Sequence, residues 1–425
     1  MKAKFTLFFL YLFIFPSINS MSIGLLTRSN AAVAYPLLSY SGEGVSNYNI
    51  SQSVTYQVEI NFTFTHISAI PQIYYFKVAR LNDRRPNSTL TQYCPPYQES
   101  QLLLNTITGY DVIEKGFIDK FNNTYDLFNS TLNKFDTITL SQNYNITLNE
   151  ISFKDIQDED IGTYNPADEI HALYNVTEKF YNCSNPSLID RSNSIVKSEN
   201  KTIENARDIF NWIVNNIEYQ KQDEEIGAFE AYKQGRGDCS DFSDLMITLL
   251  RIQSIPARKV TGFLITNNPS HNPKVGNKYI FDLNYDGTTK SASSTNEILG
   301  HAWIEYYVPD IGWIACDPTW GQGYFNRIDL FRFNLNIGAW FFLPGASIGY
   351  DYISEFPINP SPICSDHTAY DCQYSIEITV LDTNLAPPSP FPIFVVIFIG
   401  VGFAVILITS ILLIKRKKEI VSHEF

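Results

Sequence analysis

The sequence predicts an α+β chain with a β-sandwich in its N-terminal part, a mixed domain of helices and strands after it, and one membrane-crossing helix near the C-terminus. Three patterns carry that expectation. Val54, Tyr56, Val58, Ile60, Phe62 and Phe64 share one parity with mostly polar residues between them, as in a half-buried strand. Ile203, Ala206, Ile209, Phe210, Ile213, Val214 and Ile217 recur at three and four residues, and so do Phe242, Leu245, Met246, Leu249 and Leu250; each set is the apolar stripe of a helix buried along one face. Pro392 to Ile414 is uncharged, apolar and long enough to cross a bilayer, and Lys415-Arg416-Lys417-Lys418 after it places the tail in the cytoplasm.

At the other end, Lys2 and Lys4 precede an apolar run from Phe5 to Phe15 and then Pro16 to Ser20, the arrangement of a signal peptide cleaved near Ser20. The expected organisation is a signal peptide (1–20), a sandwich domain (21–165), a second domain (166–383), a Pro-rich stalk (384–391), a transmembrane helix (392–414) and a basic tail (415–425). Such a chain is a single-pass protein of the cell membrane with both domains outside. Asn-X-Ser/Thr occurs at Asn49, Asn61, Asn87, Asn122, Asn129, Asn145, Asn175, Asn182 and Asn200 and not beyond, so N-linked glycans are expected on the N-terminal layer, away from a packed domain with a working cleft.

At 425 residues the chain has room for two ordinary domains plus extensions, and 44% apolar content with 30 Phe and 26 Tyr supplies their cores. The formal charge of -13, with no basic stripe outside the tail, argues against a nucleic-acid partner. Six cysteines stand at 94, 183, 239, 316, 364 and 372. In an oxidising compartment most should pair, and if Cys239 is reactive and Cys316 lies in a buried strand, Cys94 with Cys183 and Cys364 with Cys372 is the simplest of three connectivities. No CxxC pair suggests zinc, and the acidic run Asp155 to Asp160 lacks the spacing and glycine of a calcium loop, so neither metal nor cofactor is called for.

Taken in order, the strand of residues 51 to 66 is followed by strand material from Ile73 to Leu81, then by Gly109 to Leu132, which has room for a helix, and by strands at Asp136 to Leu140 and Tyr144 to Phe153. Asp155 to Asp160 reads as a solvated connector. Thr202 is a candidate cap for the helix that runs to Tyr219, and that helix should pack on the one after Cys239. Ala228 to Gln234 forms a short helical turn leading into Gly235 and Gly237. Arg258 to Thr266 reads as a strand, Asn267 to Asn296 as a long polar loop suited to a lid, and His301 to Val308 with Gly312 to Asp317 as two strands around Pro309-Asp310-Ile311. Tyr374 to Leu381 is a final strand.

Chemistry gathers at Gly237-Asp238-Cys239. With Asp238 as N-cap, Cys239 falls in the first turn of its helix, where free backbone N–H groups and the helix dipole favour a thiolate. Asp238 and Asp241 work against that, so a base must come from elsewhere. Gly300-His301-Ala302-Trp303 offers an imidazole and Asp317 a carboxylate to hold it; the other five His lack a comparable setting. Register decides whether these meet. If Val308 pairs with Gly312, Trp303 lies opposite Asp317 and His301 is its diagonal neighbour on one face. Gln234 is more readily a turn cap than an oxyanion donor.

Gly237-Asp238-Cys239 with Leu249-Leu250-Arg251 and Ile255-Pro256-Ala257-Arg258, then Gly300-His301-Ala302-Trp303 and Asp317-Pro318-Thr319-Trp320, resembles the transglutaminase-like superfamily of papain-like folds over about residues 200 to 321. The resemblance implies Cys239 as nucleophile, His301 as base, Asp317 as orienting acid, and structural roles for Trp303 and Arg258. It also implies an N-terminal β-sandwich ahead of the core. Members cross-link proteins, cleave peptides, remove glycans from asparagine or have lost activity. The expectation is therefore a membrane-anchored, cysteine-dependent acyl-transfer enzyme acting on a protein or peptide substrate, with an inactive surface scaffold or adhesion protein as the alternative.

Overall fold

The structure, a computed structural model, describes residues 48–84, 94–119, 121–153, 156–197, 201–222, 225–294, 298–338, 364–366 and 368–385. The signal peptide, the stalk beyond Leu385, the membrane helix at 392–414, the basic tail and the sequons at Asn87 and Asn200 lie outside these residues. Among the described residues no helix is long and apolar enough to cross a membrane.

Six strands come first: β1 (Asn49–His66), β2 (Gln72–Ala79), β3 (Gln98–Thr108), β4 (Val112–Ile118), β5 (Thr124–Leu132) and β6 (Thr137–Ser152). Helices α1 (Glu169–Tyr174), α2 (Pro186–Ile195) and α3 (Thr202–Asn216) follow, then β7 (Glu218–Tyr219), α4 (Gly227–Gln234), β8 (Arg236–Gly237) and α5 (Cys239–Ile252). The rest is stranded: β9 (Ala257–Leu264), β10 (Lys278–Tyr285), β11 (Lys290–Ser294), β12 (Leu299–Val308), β13 (Gly312–Cys316), β14 (Arg327–Ile328), β15 (Arg332–Ile337) and β16 (Tyr370–Asn384).

β1 is buried on the parity that its alternation demands: Val54, Tyr56, Val58, Phe62 and Phe64 are almost wholly inaccessible. It is the centre of a sheet ordered β11-β10-β16-β1-β6-β14 with β3 also on β6, and β2-β5-β4 forms the facing layer. The stretch Gly109 to Leu132 holds the antiparallel pair β4 and β5 in place of a helix. Thr124, Tyr125 and Thr131 suit a pleated surface, and Asn122 at φ 64° turns the chain between the strands. The long polar loop also resolves differently. Lys278 to Tyr285 and Lys290 to Ser294 make a hairpin that pairs with β16, Phe281 opposite Ile376 and Leu283 opposite Tyr374, so it is sheet and not lid. A domain boundary at residue 165 does not describe this sheet, because β10, β11 and β16 come from beyond it.

The second layer system is the sheet β13-β12-β9-β15, with α5 packed on it and α2, α3 and α4 packed in turn on α5. α3 packs on α5 as its stripe requires, with Ile203, Ala206, Ile209, Phe210 and Ile213 buried, each contributing about 1.5–3 kcal/mol for its larger side chains. Thr202 does not cap it. The Asp158 carboxylate accepts hydrogen bonds from the N–H groups of Ile203 (2.8 Å) and Glu204 (3.2 Å), so the acidic connector supplies the cap from a distance. α5 is buried from Asp241 to Arg251 on all sides, not along one stripe. Its polar side chains are accommodated within the interior: the Ser243 hydroxyl donates to Cys239 O (2.7 Å), that of Thr248 to Asp244 O (2.7 Å), and Arg251 to Ala257 O through Nε and Nη2.

The expected disulfides are not formed. Cys94 Sγ accepts hydrogen bonds from Arg84 Nη2 (3.0 Å) and Arg258 Nη2 (3.1 Å) inside a buried ion cluster, while Cys183 Sγ lies beside Tyr181 O (3.5 Å). No disulfide joins Cys364 to Cys372; Cys364 Sγ lies 3.6 Å from Asp366 O, and Cys372 is buried on β16.

Candidate active site

Local geometry aims the start of α5. α4 ends at Gly235, in the left-handed region at φ 69°, and two residues of β8 then pair in parallel with β7, Gly237 beside Tyr219. A Cβ on Gly237 would come within 2.5 Å of the Asp241 Cβ, so only glycine permits this approach. Asp238 is the N-cap, its Oδ1 accepting from Ser240 N (2.9 Å) and Asp241 N (3.5 Å), and Asp241 answers through Asp238 N (3.0 Å). Asp241 Oδ1 also accepts from Ile226 N (2.9 Å) and Gly227 N (3.1 Å), tying α4 to α5. Cys239 is the first helical residue and is half-buried.

The thiol there is not lowered. Burial pushes Cys239 up to about 12, the Asp238 carboxylate adds to the rise, and the backbone N–H of Ala302 and the Lys259 cation only partly offset it. Lys259 is itself buried; burial works against its charge, but Asp244 (2.6 Å) and Glu225 hold its proton. The amides of Ser240 and Asp241 are taken by the cap.

β12 carries His301, opposite Gly262 of β9, and β13 pairs with it in the even register, Val308 against Gly312 and Ile304 against Cys316. His301 and Asp317 meet: His301 Nε2 lies 2.7 Å from Asp317 Oδ2, with both side chains nearly inaccessible. Asp317 heads a 3-10 turn, Pro318–Trp320, and its Oδ1 accepts from Thr319 N (3.1 Å). Cys316 faces away and accepts from Asn326 N (3.3 Å). Arg258 has the expected ion-pairing role, binding Glu305 through Nε at 2.8 Å under the Trp313 ring, while Trp303 packs beside His301.

Three neighbours escape a reading of the sequence. Arg332 of β15 donates to the same Asp317 Oδ2 through Nε (3.0 Å) and Nη2 (2.7 Å). Burial works against ionisation of Asp317, but the charges of His301 and Arg332 outweigh it and hold the carboxyl down to about 2. The Lys259 cation acts on Cys239, and Tyr219 stands partly exposed, its hydroxyl raised to about 12 by burial and by the charges of Cys239, Asp238 and Asp317. For the two cations, a charge set against apolar neighbours in a strand, Lys259 before Val260 or Arg332 between Phe331 and Phe333, was the available signal.

Residues 189–318 match the family model of the transglutaminase-like superfamily, and this part of the chain is a transglutaminase-like domain. The chain is 30% identical over 112 residues to the uncharacterized protein YebA of Bacillus subtilis, covering 26% of this chain and 13% of that protein. It is 33% identical over 84 residues to a protein-glutamine gamma-glutamyltransferase of Pseudomonas aeruginosa, covering 20% of this chain and 10% of the relative. The chain thus spans only about a tenth of these curated relatives. A solved Cytophaga hutchinsonii protein, proposed to be a cysteine protease, is 17% identical, with 80% of this chain and 95% of that one covered at a TM-score of 0.46.

Proposed function

We propose that this chain is a cell-surface, cysteine-dependent acyl-transfer enzyme, anchored by residues 392–414, in which Cys239, His301 and Asp317 act as nucleophile, base and orienting acid on a peptide or amide bond of a protein. The observation that carries the reading is the 2.7 Å contact of His301 Nε2 with Asp317 Oδ2, on a strand whose Ala302 N–H faces the sulfur of Cys239. Asp317 occupies Nε2 and so leaves Nδ1 as the nitrogen for the thiol proton.

A thiol pushed up to about 12 is neutral at rest, so its proton leaves as the sulfur attacks. Sγ bonds to the carbonyl carbon while its proton passes to His301 Nδ1. The imidazolium then gives that proton to the departing nitrogen as the C–N bond breaks, leaving a thioester on Cys239. Water resolves it to an acid, or a primary amine to a new amide, with His301 again taking the proton. N-linked glycans have room on both sides: of the sequons described, Asn49 and Asn61 on β1 and Asn182 ahead of α2 are exposed.

The test incubates the full-length chain in detergent with a glutamine-containing peptide and a labelled primary amine, and follows products by mass. Cleavage, deamidation or amine incorporation that vanishes in Cys239→Ala is the expected result. Product formation equal in the two proteins would defeat the assignment, and absence of turnover in both would favour the non-catalytic scaffold.

A further inference from the structure

We infer that Arg332 is a positioning residue for this site, gripping the Asp317 oxygen that His301 uses so that one imidazole nitrogen is held back and the other is left facing Cys239. The inference rests on the reading of Cys239, His301 and Asp317 as a reacting set, and goes beyond it by adding a fourth side chain that never touches substrate.

The grip is built to be rigid. Arg332 approaches Asp317 Oδ2 with Nε at 3.0 Å and Nη2 at 2.7 Å, and both side chains are fully inaccessible. Its remaining nitrogen, Nη1, is paired with Asp329 Oδ2, which also accepts the Tyr324 hydroxyl at 2.9 Å. The rings of Trp320 and Tyr324 lie over the guanidinium at 4.5 and 4.8 Å. Leaving Asp317 would mean leaving a second carboxylate and two aromatic faces. A planar fork fits this arrangement, whereas a lysine ammonium would make one contact and no stack.

Charge gives the grip its chemical effect. One guanidinium between Asp317 and Asp329 leaves a single negative charge in excess, which an imidazolium on His301 would neutralise. Beyond Asp317, the charges that bear on Cys239, the sulfur beside the Ala302 N–H, are those of Asp238 at the start of α5 and the Lys259 cation of β9. Without Arg332 the excess becomes two, the imidazolium is stabilised further, and the base holds its proton when it should pass it to the leaving nitrogen. Arg332 thus trades basicity of His301 for a fixed tautomer and a ready proton donor.

The test uses the full-length chain in detergent with histidine labelled for 1H–15N spectroscopy, His301 being assigned by His301→Gln. In Arg332→Gln the titration midpoint of His301 should rise by about one to two pH units, and kcat/KM should fall about 10- to 100-fold with its acid limb moved up by the same amount. Arg332→Lys should return the midpoint close to the native value and leave kcat/KM about tenfold down, since charge is restored and the fork is not. Tyr324→Phe frees Asp329 to draw on Arg332 and should move the midpoint the same way by less, which keeps the test open if Arg332→Gln does not fold. A native midpoint in both Arg332→Gln and Tyr324→Phe, in proteins with native melting temperatures, would make Arg332 a structural bystander and overturn the inference. If the midpoint moves as described but the native chain turns over no peptide, the clamp stands and the acyl-transfer reading falls.

Discussion

At the scale of single residues, the sulfur of Cys239 is the most exposed to experiment. A thiol held up to about 12 should react slowly with iodoacetamide near neutral pH, and the rate should climb about tenfold per pH unit from 7 towards 10; labelling kinetics against Cys239→Ala measure it. Asp238→Asn keeps a residue that caps as well and removes the charge beside the sulfur, so labelling at fixed pH should accelerate several-fold with little change in stability. Asp317 supplies a second pH signature. Its proton affinity falls on folding from the ordinary 3.8 to about 2, so between those values the unfolded chain binds the extra proton. Its contribution to stability is therefore complete above about pH 4 and is lost as pH falls towards 2; Asp317→Asn should flatten that part of the acid-unfolding curve while lowering overall stability, because Arg332 loses a buried partner. Sequence alone located these residues, since Gly-Asp-Cys, Gly-His-Ala-Trp and Asp-Pro-Thr-Trp are local patterns. It set the helix start, which favours a thiolate, against Asp238, which opposes one; what it did not show is the burial that joins Asp238 and decides the outcome. Arg332 shows in sequence only as a charge between Phe331 and Phe333; its partner, on a turn fifteen residues earlier, leaves no periodic trace.

Among the elements, those with a strong period were legible. β1, α3 and α5 follow from alternation or from spacing at three and four, and the even register of β12 with β13 follows from a tight turn around Asp310 and Gly312, both at positive φ. Elements whose order comes from partners were not. The hairpin β10–β11 stands in a polar surrounding stretch, and the apolar residues of β10, Tyr279, Phe281 and Leu283, find their sheet on the edge that β16 offers; α3 takes its cap from Asp158, whose role depends on tertiary placement. One glycine tests the sheet that carries His301. A Cβ on Gly262 would lie 1.7 Å from the carbonyl oxygen of Phe333, a backbone atom that cannot turn aside. Gly262→Ala should therefore push β15 from β9, destabilise the fold by about 3 kcal/mol in urea titration, and weaken the hold of Arg332 on Asp317.

Over the whole molecule, the two cores meet along β9 and β15, whose Phe263, Phe333 and Leu335 belong to the sandwich side while Val260 and Ala257 face the helices. A buried charge cluster crosses the same join. Arg84, from beyond β2, and Arg258 of β9 both bind Glu305 of β12, at 2.5 and 2.8 Å, and the Tyr97 hydroxyl donates to Trp313 O at the free side of β13. Glu305→Ala leaves two guanidinium groups buried without their carboxylate and should destabilise the chain by about 3–5 kcal/mol, in a single transition shared by both cores if they unfold as one; equilibrium unfolding followed by tryptophan fluorescence and circular dichroism checks both statements.

The pairing of β16 with β1 brings His66 beside Tyr370. On the ribosome, β1 and β6 emerge early, yet one flank of β1 must wait for a partner synthesised some three hundred residues later. Through that interval the nascent chain displays a long apolar ribbon with unanswered amides, which makes it a client for chaperones and a template for mispairing with its own copies. Folding of that sheet is in this way deferred until the layer that carries His301 has already been translated, and a stop codon placed before Tyr370 would release a product unable to complete the sheet around β1.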